Sequence, residues 1–170
     1  MNYAEIRKLD VTNGEGIGTT LFVSGCTNNC EGCHNKELQN FNYGQEFTKE
    51  IEDEFIQYCK NPHVNHVNIL GGEPFQQPYV RMLNLFRRLK TEVNKPIWVW
   101  TGYTYVEILT DERKKGLLHY IDVLIDGRFE KDLKDLKLKH RGSSNQRIIN
   151  VQESLKSNEV IEYDWSDDNV

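Results

Sequence analysis

Three of the chain's four cysteines fall within one short stretch, Cys26-Thr-Asn-Asn-Cys30-Glu-Gly-Cys33, and the fourth, Cys59, stands alone. Thiolates bind soft metals, chiefly zinc or the iron of iron–sulfur clusters. Clustered cysteines in a reducing compartment read as metal ligands before disulfides. A structural zinc site usually takes two ligand pairs from two separate turns. Here one loop supplies three thiols with no second pair, and His34, directly after Cys33, is awkwardly placed to reach the same ion. Three thiolates suit three irons of a four-iron cluster and leave the fourth iron open, whereas clusters that only carry electrons usually have four cysteine ligands. An open position invites a substrate or cofactor to the metal, as it does in catalytic zinc sites. Cys59 falls in helical register with Phe55 and near the Ile51 face. A buried core thiol is the preferred reading for it.

These cysteines need a scaffold, and the chain supplies alternating signals for one. Strands are expected at 4–11, at Thr19–Ser24, at His66–Leu70, at Ile97–Thr101, at Ile121–Ile125 and at Arg147–Val151. Between them a helix runs from the Thr48 cap to about Lys60, stopped by Asn61-Pro62. A second spans Gln77–Val93, with Val80, Leu83, Phe86 and Leu89/Lys90 at helical spacing, and Tyr105–Leu118 is mostly helical. Alternating strands and helices predict an α/β fold with a mostly parallel sheet. Such sheets bind ligands at the carboxyl ends of their strands. Cys26, Gly71-Gly72, Gly102 and Asp126 all follow strand ends. A closed eight-stranded barrel takes about 250 residues, so the sheet here is abbreviated and open. Asn13-Gly-Glu-Gly16 precedes a strand rather than a helix, which makes it a turn and not a dinucleotide fingerprint. His63 and His66 read as surface and packing residues.

Composition narrows the classes. The 170 residues make one domain, expected over 1–156 with an acidic C-terminal tail over 157–170. Mean hydropathy is −0.66, and no apolar run approaches the roughly 18 residues of a membrane span. The first residues lack the basic-then-apolar pattern of a signal peptide, so a cytoplasmic protein is expected. The net charge of −5 comes from the tail, where Glu159, Glu162, Asp164, Asp167 and Asp168 face no Lys or Arg. The balanced remainder argues against nucleic-acid binding. One exception is Arg128–Arg141, whose Arg128, Lys131, Lys134, Lys137, Lys139 and Arg141 outnumber Glu130, Asp132 and Asp135. It reads either as a docking surface for an acidic partner or, preferably, as a solvated amphipathic segment with Leu133, Leu136 and Leu138 turned inward.

Cys26-x3-Cys30-x2-Cys33 resembles the signature of the radical S-adenosylmethionine enzymes. The wider match resembles the anaerobic ribonucleotide reductase activating proteins. It rests on Asn13-Gly14, Thr20-Leu-Phe-Val-Ser-Gly-Cys26, Gly32-Cys33-His34-Asn35, Gly71-Gly-Glu-Pro74, Trp98-Val-Trp-Thr-Gly-Tyr103, Asp122-Val-Leu-Ile-Asp-Gly127 and Arg141-Gly-Ser-Ser-Asn-Gln146. The three cysteines alone identify only the superfamily; the later stretches and the small size point to the subgroup. Gly32 stands where the superfamily often has an aromatic, a variation the subgroup tolerates.

The resemblance implies an abbreviated radical-enzyme (β/α) barrel. It implies a 4Fe-4S cluster on Cys26, Cys30 and Cys33, with S-adenosylmethionine on its open iron. Reductive cleavage of the sulfonium yields methionine and a 5′-deoxyadenosyl radical that takes a hydrogen atom from a backbone glycine of the reductase large subunit. Gly71, Gly72 and Glu73 then line the cofactor's amino group, Gly32 and His34 flank it beside Cys33, and Thr101 and Asp126 touch its carboxylate, its ribose or a bound cation. Arg141–Gln146 serves partner or cofactor, or is a capped loop. Implied partners are the large subunit, a low-potential electron donor such as flavodoxin, and, as one allowed assembly, a second copy of the chain. With no further cysteines, one cluster is expected. Two rivals stand beside this reading: a radical enzyme on a small molecule, similar to 7-carboxy-7-deazaguanine synthase, and a zinc-binding interaction module without catalysis.

Overall fold

A computed structural model of the chain describes residues 1–163. Seven strands form one open sheet: β1 (Asn2–Asp10), β2 (Gly18–Val23), β3 (Gln45–Glu46), β4 (His66–Gly71), β5 (Ile97–Trp100), β6 (Val123–Asp126) and β7 (Arg147–Asn150), in the order β3-β1-β2-β4-β5-β6-β7. β2, β4, β5 and β6 run parallel at the centre. The rims are antiparallel, with β1 against β2 and β3 on one side and β7 against β6 on the other. The expected α/β architecture is therefore present, with its parallel character confined to the middle. The two edges do not meet, so the sheet does not close.

Among the described residues five α-helices accompany the sheet: α1 (Lys49–Cys59), α2 (Tyr79–Arg88), α3 (Tyr105–Leu109), α4 (Glu112–Leu117) and α5 (Val151–Ser157). Each boundary has a local cause. The Thr48 hydroxyl accepts from the Ile51 N–H at 3.2 Å and starts α1. α2 begins at Tyr79 rather than Gln77, because Pro78 precedes it and the Gln77 carboxamide donates to the Ser24, Gly25 and Glu73 carbonyls. The helix expected over Tyr105–Leu118 is broken in two. Thr104 and Glu107 form a capping box for α3, and the Asp111 carboxylate accepts from the Arg113 and Lys114 N–H groups to start α4. The last strand ends one residue early, because the Asn150 side chain caps α5, an element the sequence reading did not contain.

The two faces of the sheet are covered differently. On one, Leu21, Val23, Val67, Ile69, Val99 and Leu124 pack under Phe55, Ile56, Met82, Leu85 and Phe86 of α1 and α2. Cys59 is fully buried in this core, as expected. Val80 is not part of it: it is 65% exposed, and Met82, Leu85 and Phe86 form the inward stripe of α2 instead. Across the helix layer, Glu52 of α1 is buried between Arg81 and Arg88 of α2, with Arg88 Nη1 at 3.0 Å. On the other face, Phe22, Leu70, Trp98, Trp100, Ile125 and Ile148 are covered by loops instead of helices.

The segment after β6 differs most from expectation. Leu136 is 87% exposed and Leu133 41% exposed, so these leucines do not turn inward. The reason is that a bridge between Lys134 and Ser143 folds residues 128–142 into a hydrogen-bonded arm, of which Leu138 alone among the three leucines lines the cavity. Of the acidic tail, residues from 164 onward, Trp165 included, lie outside the described residues.

Candidate functional site

Parallel pairing aligns the carboxyl ends of β2, β4, β5 and β6 along one edge of the sheet. The cysteine loop follows β2, Gly72-Glu73 follows β4, Thr101-Gly102 follows β5 and Gly127 follows β6. Together with the arm they enclose a cavity of about 420 Å³ on the loop-covered face, within the size range of small-molecule sites. Its wall includes Cys26, Cys30, Cys33, His34, Gly71, Gly72, Glu73 and Thr101. Gly32 and Asp126 do not line it.

The cysteine loop is anchored at both ends. The Gly25 N–H donates to the Leu38 carbonyl at 2.7 Å and the Cys26 N–H to the Gln39 carbonyl at 3.2 Å. Gly25 (φ 114°), Asn29 (φ 51°) and Gly32 (φ 74°) take left-handed conformations that bend it into a cup. Gly72 is required by close approach: a Cβ there would stand 2.6 Å from the Gly25 oxygen and 2.8 Å from that of Leu38. The three loop thiols are free and half-buried, and burial pushes the Cys26 and Cys30 thiols up. The Cys59 thiol, on the opposite face, is pushed up by burial to about 12, which keeps it protonated and unreactive. Among the described residues no three His, Cys, Asp or Glu side chains converge as the ligands of one metal ion would. A single tetrahedral zinc would draw its sulfurs to within about 4 Å of one another. Three thiols on one loop, all lining the same cavity, are a donor set that suits an iron–sulfur cluster with one iron left open.

Glu73 is the centre of the polar network. It is buried, and its two oxygens accept from the Gly102 N–H at 2.7 Å, the Phe75 N–H at 3.1 Å, the Thr101 hydroxyl at 2.9 Å and the Asn28 carboxamide at 3.3 Å. Burial pushes its carboxyl up, against these donors. Glu73 thus ties the ends of β4 and β5 to the cysteine loop, and the Thr101 hydroxyl is directed at it. Asp126 is occupied elsewhere. Its carboxylate is held by the Arg147 guanidinium at 2.6 and 3.1 Å and by the Tyr105 N–H at 2.8 Å.

Several wall residues were not foreseen: Asn28, Trp100, Phe129, Leu138 and His140. Asn28 lay within the cysteine spacing itself and Trp100 within the Trp98–Tyr103 stretch; Phe129, Leu138 and His140 carry no motif signal. The Phe129 ring stacks at a tilt on His34, with centroids 5.0 Å apart. The Trp100 indole donates to the His140 carbonyl at 2.8 Å. The Arg141–Gln146 loop is a capped loop that also reaches the cavity. The Gln146 carboxamide caps it by accepting from the Gly142 and Ser143 N–H groups and donating to the Gly127 carbonyl, while Arg141, Gly142 and Gln146 face the cavity. His66 and Asn68 lie deeper, paired at 2.9 Å beneath the Asn13–Gly16 turn; His63 is exposed, apart from them.

Comparison with known proteins agrees with this arrangement. The 4Fe-4S single cluster domain family matches residues 12–149. A protein of Pasteurella multocida (strain Pm70) is 43% identical over 152 residues, covering 87% of this chain and 96% of its own. One of Escherichia coli (strain K12) is 41% identical over 156 residues, covering 89% and 100%. One of Enterobacteria phage T4 is 38% identical over 150 residues, covering 87% and 93%. All three bear the name anaerobic ribonucleoside-triphosphate reductase-activating protein. A cup of three thiols beside a glycine-lined cavity, in a chain that aligns with these proteins along most of its length, places the chain in the anaerobic ribonucleoside-triphosphate reductase-activating protein family.

Proposed function

We propose that this chain is a radical S-adenosylmethionine enzyme that generates the glycyl radical of an anaerobic ribonucleotide reductase. The observation that carries the reading is the convergence of Cys26, Cys30 and Cys33 with Gly71-Gly72-Glu73 and Thr101 on one cavity at the strand ends. Cys26, Cys30 and Cys33 would hold a 4Fe-4S cluster, and Cys59 would not, since it lies in the core on the other face. The bound cluster and S-adenosylmethionine supply the electron transfer and hydrogen abstraction. The chain's own residues bind, orient and shield. Gly71 and Gly72 let backbone approach the cofactor, and Glu73, held by four donors, fixes the loop that carries Cys26 through Asn28. Gly32 and Asp126 act at one remove: Gly32 shapes the turn into Cys33, and Asp126 holds Arg147 and the start of α3 beside the wall.

The open sheet supports a macromolecular substrate. It amounts to an abbreviated radical-enzyme barrel with one side missing, and a primary radical must be kept from solvent. The reductase large subunit, whose glycine is the substrate, supplies that side. A low-potential donor such as flavodoxin reduces the cluster, in a cytoplasmic setting that keeps thiols reduced. Among the described residues no helix is long and apolar enough to cross a membrane.

The test is anaerobic reconstitution with iron and sulfide followed by electron paramagnetic resonance. A reduced four-iron signal that changes on adding S-adenosylmethionine, and a glycyl doublet on adding the reductase, are expected. A colourless protein holding one zinc per chain would falsify the reading. Cleavage of S-adenosylmethionine indifferent to the reductase would instead favour a small-molecule substrate.

A further inference from the structure

We propose that the arm of residues 128–142 is the surface on which the reductase seats an acidic segment bearing an apolar side chain, at the lip of the cysteine-lined cavity. This rests on the function proposed above and names where its partner binds. The arm is a built element. Lys134 bridges Ser143, the Ser144 N–H donates to the Leu133 carbonyl at 2.9 Å, and the Asp135 N–H donates to that of Gly142 at 3.3 Å. At the tip the Asp135 carboxylate accepts from the Lys137 N–H at 2.9 Å and closes the turn. The base is held by Asn145, whose carboxamide donates to the Arg128 carbonyl, and by Gln146.

This ordered turn holds Leu136 out in water, 87% exposed, between Lys134 and Lys137. Among the described residues neither lysine has an ion-pair partner, and Lys131 reaches Glu31 of the cysteine loop only at 3.6 Å. A large apolar side chain displayed on a hydrogen-bonded turn, flanked by two lysines without an ion-pair partner on an arm whose six Lys and Arg outnumber three acids, has the composition of an interface anchor with a basic rim. Cations of one sign select an acidic partner and speed its arrival. The inner side of the same arm supplies Phe129, Leu138, His140 and Arg141 to the cavity wall. A segment seated on the tip is therefore delivered next to the three cysteines.

The test uses the full chain with its cluster loaded and the variant Lys134→Glu/Leu136→Asp/Lys137→Glu. All three side chains are exposed, so folding and iron content should match the parent. Two quantities are read: affinity for the reductase large subunit at low and high salt, and cleavage of S-adenosylmethionine under chemical reduction without the reductase. The expected result is affinity lowered at least tenfold, a weaker salt dependence, a matching loss of glycyl radical, and unchanged partner-free cleavage. Affinity equal to the parent's overturns the proposal. So does an unchanged affinity accompanied by dissociation of a parental dimer, which would make the arm a self-contact. Arm-dependent binding by a protein that cleaves no S-adenosylmethionine supports the docking surface and overturns the radical reading instead.

Discussion

Cys26, Cys30 and Cys33 share a loop and a cavity, while Cys59 shares neither. Replacing any one of the three by Ala should abolish iron–sulfide binding, measured as iron and sulfide per chain. Cys59→Ala should keep the cluster and cost about 1 kcal/mol in a thermal melt, the usual order for trimming a buried atom. Loss of the cluster in Cys59→Ala would overturn the ligand assignment. Glu73→Gln tests the hub. An amide has one accepting oxygen where the carboxylate has two, so it cannot satisfy both the Gly102 and Phe75 N–H groups. A buried donor left unpaired costs about 1–3 kcal/mol. The expected outcome is a lower melting temperature and weaker S-adenosylmethionine binding at normal iron content. The grouping of Cys26, Cys30 and Cys33 apart from Cys59 was legible from spacing alone. The work of Glu73 was not: its position after Gly71-Gly72 marked it as a cofactor contact, yet its partners Asn28, Thr101 and Gly102 come from two other segments.

Elements decide whether those residues meet. Gly72 allows the β4 end to pass against the cysteine loop, so Gly72→Ala should push on the Gly25 and Leu38 backbones and lower cluster occupancy. The readout is iron content, with circular dichroism showing that the sheet persists. On the helical side, Glu52 is buried between two arginines. Glu52→Ala should cost about 2–3 kcal/mol in denaturant unfolding, the scale of hydrogen bonds to a charged group, and leave the cluster intact. The strands and the Thr48 cap were readable because each depends on near neighbours: the Thr48 hydroxyl acts within three residues. The missed α5 and the broken Tyr105–Leu118 helix arise from the same local chemistry, in the Asn150, Thr104 and Asp111 caps; Asn150 lies hidden among Ile148, Ile149 and Val151, and Asp111 opens a polar run, Asp111–Gly116, inside a segment read as one helix. The arm differs for another reason: Leu138 faces the cavity, but the Lys134–Ser143 bridge folds the segment into a turn that leaves Leu133 and Leu136 exposed.

At the scale of the whole molecule, the N-terminal strand is stitched to the site by buried polar contacts. Asp10 is buried, an environment that raises its pKa; its bonds from the Thr12, Thr20 and Asn13 side chains outweigh that and hold its carboxyl down at about 2. A depressed carboxyl stabilises the fold above its unfolded value near 4, and that stability is lost as pH falls toward 2. Acid unfolding should therefore steepen in that window and flatten in Asp10→Asn, followed by far-ultraviolet circular dichroism. The sequence by itself determined the family, through motifs spread along the chain, and most of the alternation of strands and helices, because hydrophobic period and turn chemistry act over a few residues. Only the tertiary structure decided that the rims of the sheet run antiparallel, that Asp126 pairs with Arg147 away from the cavity wall, and that the basic arm stands exposed at its lip. Those outcomes follow from which distant segments can share one hydrogen-bonded edge, and no stretch of local sequence carries that information.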